Sequence, residues 1–521
     1  MTDELPEGWT QVALRDVLEP NGLFDGPFGS NLKTSDYTDR GVRVLRLENV
    51  ANLRFVEDKE TYISEAKYRE LAKHAVAEGD IIVGSFVDGA VRVCLLPRLP
   101  TKAIAKADCF TVRTQGDLAN RRFVVYQLGA NATRDGLIED IHGATRPRIT
   151  TKQLRDLPLR LPPPSEQRRI VEKVEVLLEQ VKRAMGRLER VPLILKRFRQ
   201  AVLAAACSGE LTREWREENP RVEAAAVLLG DLYMERKRDH DRAVERASKN
   251  GNRRPTTPKN LEQGTIPDGL RALPDAWTWV LFDDVCDDIT VGHVGPMANE
   301  YVPDGVPFLR SQNVRPFRFD REGLKFVTQA FHRRLSKSAL KPGDLVVVRS
   351  GNAGEACVVP QELGEANCAD LVVMRPSRAL EPHYGAIFIN SASARAHIDE
   401  VKVGIAQGHY NIGSARQTPM PLPPLAEQQA IVQAVHRLFA LADTIEHRVQ
   451  SAASRANKLS QAILSKAFSG ELVPTEAELA RTEGRTYETA HELLERVRGE
   501  QPGRGVEASK ARGGARQRAP S

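Results

Sequence analysis

The side chains best suited to binding a ligand lie on short loops beside glycine, proline or the ends of predicted strands. Most belong to the residue types that hydrogen-bond phosphate oxygens and the edges of nucleic-acid bases. The candidates are Ser30, Asn31, Lys33, Arg146, Arg148, Arg349, Ser350, Asn352, His409, Tyr410 and Asn411. The same residue types also form surface turns and ion pairs, so the local pattern leaves a purely structural interpretation open.

Sequence motifs that would indicate catalysis are missing from the chain. There is no phosphate-binding G-x-x-x-x-G-K-[ST] loop, no G-x-S-x-G nucleophile elbow and no H-E-x-x-H metal motif. The tetrapeptides N-P-P-[FY] and D-P-P-[YF], typical of amino-methyltransferases, do not occur either. The histidines lack the spacing of metal ligands. The chain is therefore predicted to be a binding protein without catalytic residues, metal or cofactor of its own.

The candidate loops belong to a chain that is written twice. Residues 161–211 and 422–472 align without a gap at an offset of 261, with 18 identities in 51 positions. The first block begins L-P-P-P-S-E-Q-R-R-I-V and ends C-S-G-E-L, and the second begins L-P-P-L-A-E-Q-Q-A-I-V and ends F-S-G-E-L. The regions before the blocks match more loosely, as G-D-I-I-V from Gly79 and G-D-L-V-V from Gly343 illustrate. Each copy is thus predicted to be a variable globular unit followed by a helical unit.

Each helical block carries apolar residues at alternating steps of four and three, the pattern of a coiled-coil seam. The larger seam residues are Ile170, Val174, Leu177, Val181, Leu188, Leu195, Phe198, Ile431, Val435, Leu438, Ile445, Val449, Leu459 and Ile463. Pairing of the two helices explains so long a seam, and packing of each helix on its own globular unit is the alternative. Pro192 predicts a kink or break in the first block. Ser165 is the predicted N-cap of the first helix, followed by Glu166 at the positive end of the helix dipole.

These elements indicate an α+β protein with two mixed, strand-rich domains separated by two long helices. Short runs rich in Val and Ile, bounded by Gly, Pro and Asp, predict the strands. The expected segments are a first domain over 1–160, a helix over 161–211, a connector with one helix and a flexible basic linker over 212–272, a second domain over 273–421, a helix over 422–472 and a short helix with a basic tail over 473–521. The tail beyond residue 500 is rich in Gly, Arg, Ala and Pro and is predicted to be disordered.

Charge and composition do not identify a partner by themselves. The formal net charge is +6, but residues 236–254 contribute +5 and residues 498–521 contribute +4, which leaves the rest of the chain at −3. The six cysteines form no C-x-x-C pair, and a reducing cytoplasm is the expected location. No apolar run is long enough for a membrane span, and the first residues do not have the pattern of a secretory signal.

The repeated arrangement of a variable domain, L-P-P-x-x-E-Q-x-x-I-V, a long helix and S-G-E-L resembles the specificity (S) subunit of type I restriction-modification systems. The segment G-P-F-G-S-N-L-K-T-S-D-Y from Gly26 also looks like a segment often seen near the start of that family's first variable domain. The resemblance covers about residues 1–500. It implies that each variable unit is a target recognition domain that reads a few base pairs of DNA. The loop residues above thereby become candidate DNA contacts.

The resemblance further implies an antiparallel coiled coil that holds two recognition domains at a fixed distance on a bipartite, asymmetric site. The S subunit of the family is not catalytic and binds two modification (M) subunits, which methylate adenine with S-adenosylmethionine. Restriction (R) subunits complete the holoenzyme and hydrolyse ATP, so S-adenosylmethionine, ATP and Mg are expected on partner subunits only. Two other hypotheses stay open: a fused single-chain restriction-methyltransferase, which the missing tetrapeptides disfavour, and a coiled-coil scaffold without nucleic acid.

Overall fold

The computed structural model describes residues 4–28, 31–87, 89–139, 148–258, 260–403 and 409–500. The chain divides into two compact units. The first unit consists of Met1–Glu189 together with Ser451–Ser521, and the second consists of Arg190–Gln450. Each unit therefore combines one variable domain with part of each helical block, across the segment boundaries expected from the sequence. The tail beyond residue 500, for which disorder is predicted, lies outside the described residues.

The described strands of the first unit form two main sheets. Their β-branched side chains favour strands because they pack well on a pleated surface. In the described residues, a four-stranded sheet has the order Val93–Leu95, Ile81–Gly84, Cys109–Thr114 and Leu18–Phe24. A five-stranded sheet has the order Tyr37–Thr38, Tyr62–Ile63, Val42–Leu45, Ala103–Ala105 and Ala75–Val76. Two further antiparallel pairs are Thr10–Ala13 with Pro158–Leu161, and Val50–Ala51 with Arg54–Phe55.

The helices of the first unit include parts of both helical blocks and several shorter helices. The described helices are Glu65–Glu70, Arg121–Leu128, Asn131–Glu139, Thr151–Asp156, Pro164–Leu188, Glu476–Glu483 and Ala490–Gly499, with the last part of Leu425–Ser469. One core contains Val112 of the four-stranded sheet, Phe123 of a domain helix, and Val174 and Phe468 of the long helices. The rings of Phe123 and Phe468 meet edge to face, with centroids 5.3 Å apart. The variable domain thus packs directly on both blocks.

The second unit has a similar composition of elements. In its described residues, one four-stranded sheet has the order Cys286–Val291, Leu371–Pro376, Leu345–Val348 and Ala356–Val358, and another has the order Tyr301–Val302, Lys325–Val327, Val306–Leu309 and Asn367–Cys368. Two antiparallel pairs are Thr278–Leu281 with Pro419–Leu422, and Val314–Arg315 with Arg318–Phe319. The helices are Val191–Ser208, Arg213–Glu218, Ala225–Lys249, Phe282–Val285, Gln329–Arg334, Pro382–Ile389, Ala392–Val403, Ile412–Arg416 and the first part of Leu425–Ser469. Its main core joins Val347, Val372 and Phe388 to Val202 and Val435 of the long helices.

The first helical block is broken where its proline predicts. It consists of Pro164–Leu188 and Val191–Ser208, and Pro192 lies in the first turn of the second piece, where its missing N–H is tolerated. The second block has no interior proline and forms one helix, Leu425–Ser469. The N-cap prediction is wrong, since the helix begins at Pro164 and Ser165 already lies inside its first turn.

Most of the predicted seam residues lie against other apolar side chains. Buried are Ile170, Val174, Leu195, Ile431, Val435 and Ile463, and partly buried are Leu177, Val181, Leu188, Phe198, Leu438, Ile445 and Val449. In the first unit, Ile170 and Val174 share a core with Ile463 and with side chains of the variable domain. Contacts with the other block and contacts with the domain therefore coexist at the helix ends.

Leu459 is the exception among the seam residues, since it is 52% exposed. A straight α-helix drifts by about 20° per heptad from a strict seven-residue repeat. From Ile431 to Leu459 the drift adds up to about 80°. The buried face near the end of the helix accordingly includes Leu464 and Phe468. The prediction that Leu459 belongs to the seam is wrong for this reason.

Candidate nucleic-acid interface

A buried glutamate joins the variable domain of the first unit to the helices. The Glu166 Oε1 atom accepts a hydrogen bond of 2.8 Å from the Trp9 indole Nε1. Its Oε2 atom accepts another of 2.8 Å from the Glu476 backbone N–H. Burial raises the pKa of the Glu166 carboxyl above its ordinary value, although both donors oppose the shift. One side chain thus connects three distant parts of the sequence.

Glu427 makes the same indole contact in the second unit, with different donors on its other oxygen. Its Oε2 atom accepts a hydrogen bond of 2.8 Å from the Trp277 indole Nε1. Its Oε1 atom accepts hydrogen bonds of 2.6 Å from both the Thr212 hydroxyl and the Arg216 Nη1. Trp9 and Trp277 occupy the same place in L-P-E-G-W and L-P-D-A-W. The contact between glutamate and tryptophan is therefore repeated at matched sequence positions.

The glutamine after each glutamate attaches the domain to the start of its helix. The Gln167 Nε2 donates to the carbonyl oxygens of Leu118 and Pro162 at 2.8 and 2.9 Å. Its Oε1 accepts a hydrogen bond of 2.8 Å from the Asn120 N–H. Gln428 makes three corresponding hydrogen bonds, with the backbone of Ala379, Pro423 and Glu381. The repeated E-Q dipeptide thus has a structural role, and it holds the domain that carries the candidate loops.

In the first unit the candidate residue Arg148 lies against an aspartate, together with Ser85. The Asp108 Oδ1 forms an ion pair with the Arg148 Nη2 at 2.6 Å and accepts a hydrogen bond of 3.2 Å from the Ser85 hydroxyl. The Ile149 N–H donates to the Ser85 carbonyl at 2.7 Å, which holds the chain beside Arg148 against the end of a central strand. The Arg148 guanidinium also lies 5.7 Å from the Phe86 ring centroid. Arg148 is therefore an oriented cation, and about half of its side chain is open to solvent.

The second unit has a similar cluster built from different side chains. The Asp370 Oδ1 accepts from the Arg349 Nη1 at 3.2 Å, and its Oδ2 accepts from the Ser350 hydroxyl at 2.8 Å. The same hydroxyl lies 3.0 Å from the His409 Nδ1. The Tyr410 N–H donates to the Arg349 carbonyl at 3.2 Å. Two loops that the sequence analysis selected separately are therefore in contact.

Matched backbone positions hold the two clusters. Asp108 and Asp370 both have a left-handed backbone, with φ of +75° and +52°, a conformation that aspartate adopts more readily than most residues other than glycine. The residues at equivalent places, judged by their shared backbone hydrogen bond, are Ser85 with Arg349 and Arg148 with His409. The aspartate is thus common to both domains, while the side chains around it differ.

A second carboxyl group lies close to the cluster of the first unit. The Asp25 Oδ1 accepts a hydrogen bond of 2.7 Å from the Gly26 N–H. Burial and the nearby Asp108 raise the pKa of Asp25, while the Gly26 N–H and Arg148 oppose this shift. A Cβ atom on Gly26 would lie 2.1 Å from the Lys106 carbonyl carbon, so the close approach of the two segments requires glycine.

The remaining loop candidates have varied surroundings. Asn31 and Lys33 are exposed, and the Lys33 N–H donates to the Asp36 carboxylate at 2.7 Å. Asn352 is exposed in a turn, and Asn411 caps the helix Ile412–Arg416 through its side-chain oxygen. Two candidates lie outside the described residues, namely Ser30 and Arg146.

Tyr410 is a core residue. It is fully buried in the main core of the second unit, and its hydroxyl lies 2.8 Å from the Thr418 hydroxyl. Burial raises its pKa far above the ordinary value. The prediction that this side chain contacts DNA is therefore wrong. A tyrosine after a turn has the same local pattern whether it faces solvent or the core.

The two aspartates are the residues that the sequence analysis missed. Asp108 and Asp370 each follow an alanine and directly precede a buried strand. The A-D dipeptide at matching places in both domains was the available signal, but two residues alone do not stand out where the surrounding sequences diverge.

Three further features concern only the described part of the chain. No group of three His, Cys, Asp or Glu side chains there is placed to hold a metal ion. The described cysteines are free and buried, and burial raises the thiol pKa to about 12 for Cys94, Cys207 and Cys357. No described helix is long and apolar enough to cross a membrane. The arrangement instead offers two clusters of hydrogen-bonding side chains at the ends of strands.

Proteins similar to this chain match most of its length, although no family model matches it. The EcoDI type I restriction enzyme specificity subunit of Escherichia coli is 31% identical over 361 residues, which cover 68% of this chain and 71% of that protein. The EcoKI specificity subunit of Escherichia coli strain K12 is 27% identical over 477 residues, 90% of each chain. The crystal structure of the HsdS subunit from Thermoanaerobacter tengcongensis has a TM-score of 0.52 at 19% identity, covering 90% of this chain and 99% of that one.

Proposed function

This chain belongs to the family of type I restriction enzyme specificity subunits, and we propose that it is the DNA sequence-recognition subunit of a type I restriction-modification complex. One observation carries the proposal: both variable domains hold an aspartate in the same place and surround it with different side chains. Ser85 and Arg148 lie around Asp108, whereas Arg349 and His409 occupy their places around Asp370. Two domains of one fold that recognise different half-sites are expected to keep the same backbone position and to differ in the side chains around it.

Each variable domain reads one half of a bipartite, asymmetric site. Arginine contacting the guanine O6 and N7 atoms is the commonest specific contact in the major groove, and Arg148 is an exposed, oriented arginine. The exposed Asn31, Lys33 and Asn352 are suited to phosphate or base contacts nearby. Ser30 and Arg146 remain candidates on the grounds of residue type alone.

The helical blocks form an antiparallel coiled coil from an internal repeat, and this coiled coil sets the spacer between the half-sites. In support, the early residue Ile170 of one block shares a core with the late residue Ile463 of the other. In the second unit the order is reversed, since the late residue Val202 shares a core with the early residue Val435. An antiparallel pair of helices has this order of contacts.

The same blocks bind two M subunits, and R subunits join in the holoenzyme. Methylation and cleavage then take place on these partners, which bind S-adenosylmethionine, ATP and Mg, while this chain contributes recognition alone. We place the complex in the cytoplasm. The free, buried cysteines of the described residues suit a reducing compartment.

A domain exchange tests the proposal. Residues 25–148 are replaced by the matching segment of another family member, and methylated sites are mapped in cells that also express the cognate M subunit. We expect one half-site to change while the other half-site and the spacer stay the same, because base readout is local. The reciprocal exchange of residues 286–409 is the matched control and should change the other half-site. A change of both half-sites together would refute the two-reader proposal, and DNA without any sequence-specific methylation would favour the scaffold hypothesis.

A further inference from the structure

We propose that Asp108 and Asp370 are positioning residues, each of which orients the base-reading side chains of its own domain. This inference rests on the proposed function and deepens it. Asp108 accepts a hydrogen bond from Ser85 and forms an ion pair with Arg148, and Asp370 accepts hydrogen bonds from Ser350 and Arg349. In both domains one carboxylate therefore joins a hydroxyl group to a guanidinium group at the end of a strand.

Stability alone does not explain these aspartates. Both carboxylates are partly open to solvent. In the first pair the Arg148 side chain is 47% exposed as well, and an ion pair open to solvent adds little to folding. Both residues also occupy the left-handed region of the backbone, which is sparsely populated by residues other than glycine. A left-handed aspartate that recurs at the same place in two divergent domains points to a constraint that both domains share.

The chemistry of the pair suits recognition of a base. Arginine presents five N–H donors in a planar fork, and a carboxylate that holds one of its nitrogens restricts rotation of the group. In Arg148 the Nη2 atom is held by Asp108. A guanidinium group held in one orientation favours one arrangement of base acceptors over all others. The O6 and N7 atoms of guanine are an example of an arrangement that it can favour. An aspartate beside the DNA also repels phosphate, so it lowers affinity for any sequence while it increases discrimination.

In the second domain one carboxylate orients two side chains. Asp370 holds Arg349 directly, and it reaches His409 through the Ser350 hydroxyl, which lies 2.8 Å from the Asp370 carboxylate and 3.0 Å from the His409 ring. Because His409 stands where the first domain has Arg148, the two domains should prefer different bases at corresponding positions.

The test uses the full chain in complex with its M subunits and a DNA library with randomised half-sites. Asp108→Asn keeps the left-handed backbone accessible, since asparagine also adopts it readily, and it removes only the charge. We expect discrimination at one position of the first half-site to fall by about 5- to 150-fold, the range of one bidentate base contact. The second half-site should stay unchanged, and binding to unrelated DNA at low salt should become tighter. Asp370→Asn should have the converse effect.

Three comparisons separate positioning from other roles. Asp117→Asn removes the same charge from an exposed position of the first domain and should change no base preference. Arg148→Ala should itself relax that position, and adding Asp108→Asn to it should cause no further loss, because the aspartate acts through the arginine. Unchanged discrimination in Asp108→Asn would overturn the inference, as would equal losses at both half-sites with a lower melting temperature. A wild-type complex without any sequence preference would instead refute the proposed function.

Discussion

Replacing the buried Glu427 by alanine tests whether the E-Q dipeptide holds the second variable domain on the helices. Glu427 accepts three hydrogen bonds, and one donor is Arg216, whose side chain is only 20% exposed. In Glu427→Ala the guanidinium group and the Trp277 indole N–H lose their acceptor while they remain largely buried. Removing one partner of a buried ion pair costs about 3–5 kcal/mol. We expect the free energy of unfolding of the second unit to fall by about this amount.

Differential scanning calorimetry of the full chain measures the effect. For a unit of this size, each kcal/mol shifts the melting temperature by about 2–4 °C, so the transition of the second unit should move down by roughly 6–20 °C. Glu446→Ala is the matched control, because its partner Arg199 is also an arginine but the Glu446 side chain is 42% exposed. Breaking such an exposed pair should cost at most about 1 kcal/mol.

The outcome is decisive in either direction. If the free energy of unfolding fell no more in Glu427→Ala than in Glu446→Ala, the reasoning would be refuted, because the three donors would then be hydrogen-bonded to water. The loss of stability in Glu427→Gln should be intermediate between those of Glu427→Ala and Glu446→Ala, since glutamine keeps an acceptor oxygen but removes the charge. In the complex with M subunits, Glu427→Ala should also weaken recognition of the half-site read by the second domain more than that of the first.

Four further outcomes are expected. The purified chain should show no methylation, ATPase or nuclease activity until partner subunits are added, and turnover by the chain alone would contradict the proposed role. Four residues inserted near Gly186 lengthen the helix by about 6 Å, close to two base-pair rises of about 3.4 Å. Mapping of methylated sites should therefore find a spacer longer by one or two base pairs. An unchanged spacer would mean that something other than the helices sets the distance between the half-sites. Partial desolvation and the neighbouring His383 lower the pKa of the solvent-exposed His436, so protonation favours the unfolded state. The second unit should lose a small part of its stability in calorimetry as the pH falls below about 6.5, and the dependence should be weaker in His436→Gln. Leu464→Ala should destabilise the first unit by about 2–5 kcal/mol, whereas Leu459→Ala should change its unfolding free energy by less than about 0.5 kcal/mol. Equal losses of stability would mean that Leu459 does pack in the seam.

The amino-acid sequence determined the features that depend on neighbouring residues. The repeated L-P-P…E-Q…S-G-E-L blocks become long helices, and Pro192 breaks the first of them, because a proline ring acts on its own turn of helix. Runs of Val and Ile such as Leu345–Val348 become buried strands, since β-branched side chains pack on a pleated sheet wherever they occur.

The tertiary structure decided which distant segments share a unit and which side chains face each other. Residues after Ser451 complete the unit that begins at the N-terminus, and Glu166 reaches both Trp9 and the Glu476 backbone. Contacts over such separations leave no local periodicity, so the E-Q dipeptide was recognisable as a motif without revealing its partners. Asp108, Asp370 and the burial of Tyr410 have the same explanation. A polar or aromatic residue in a loop faces whatever the packed chain brings to it, and that is set by the fold as a whole.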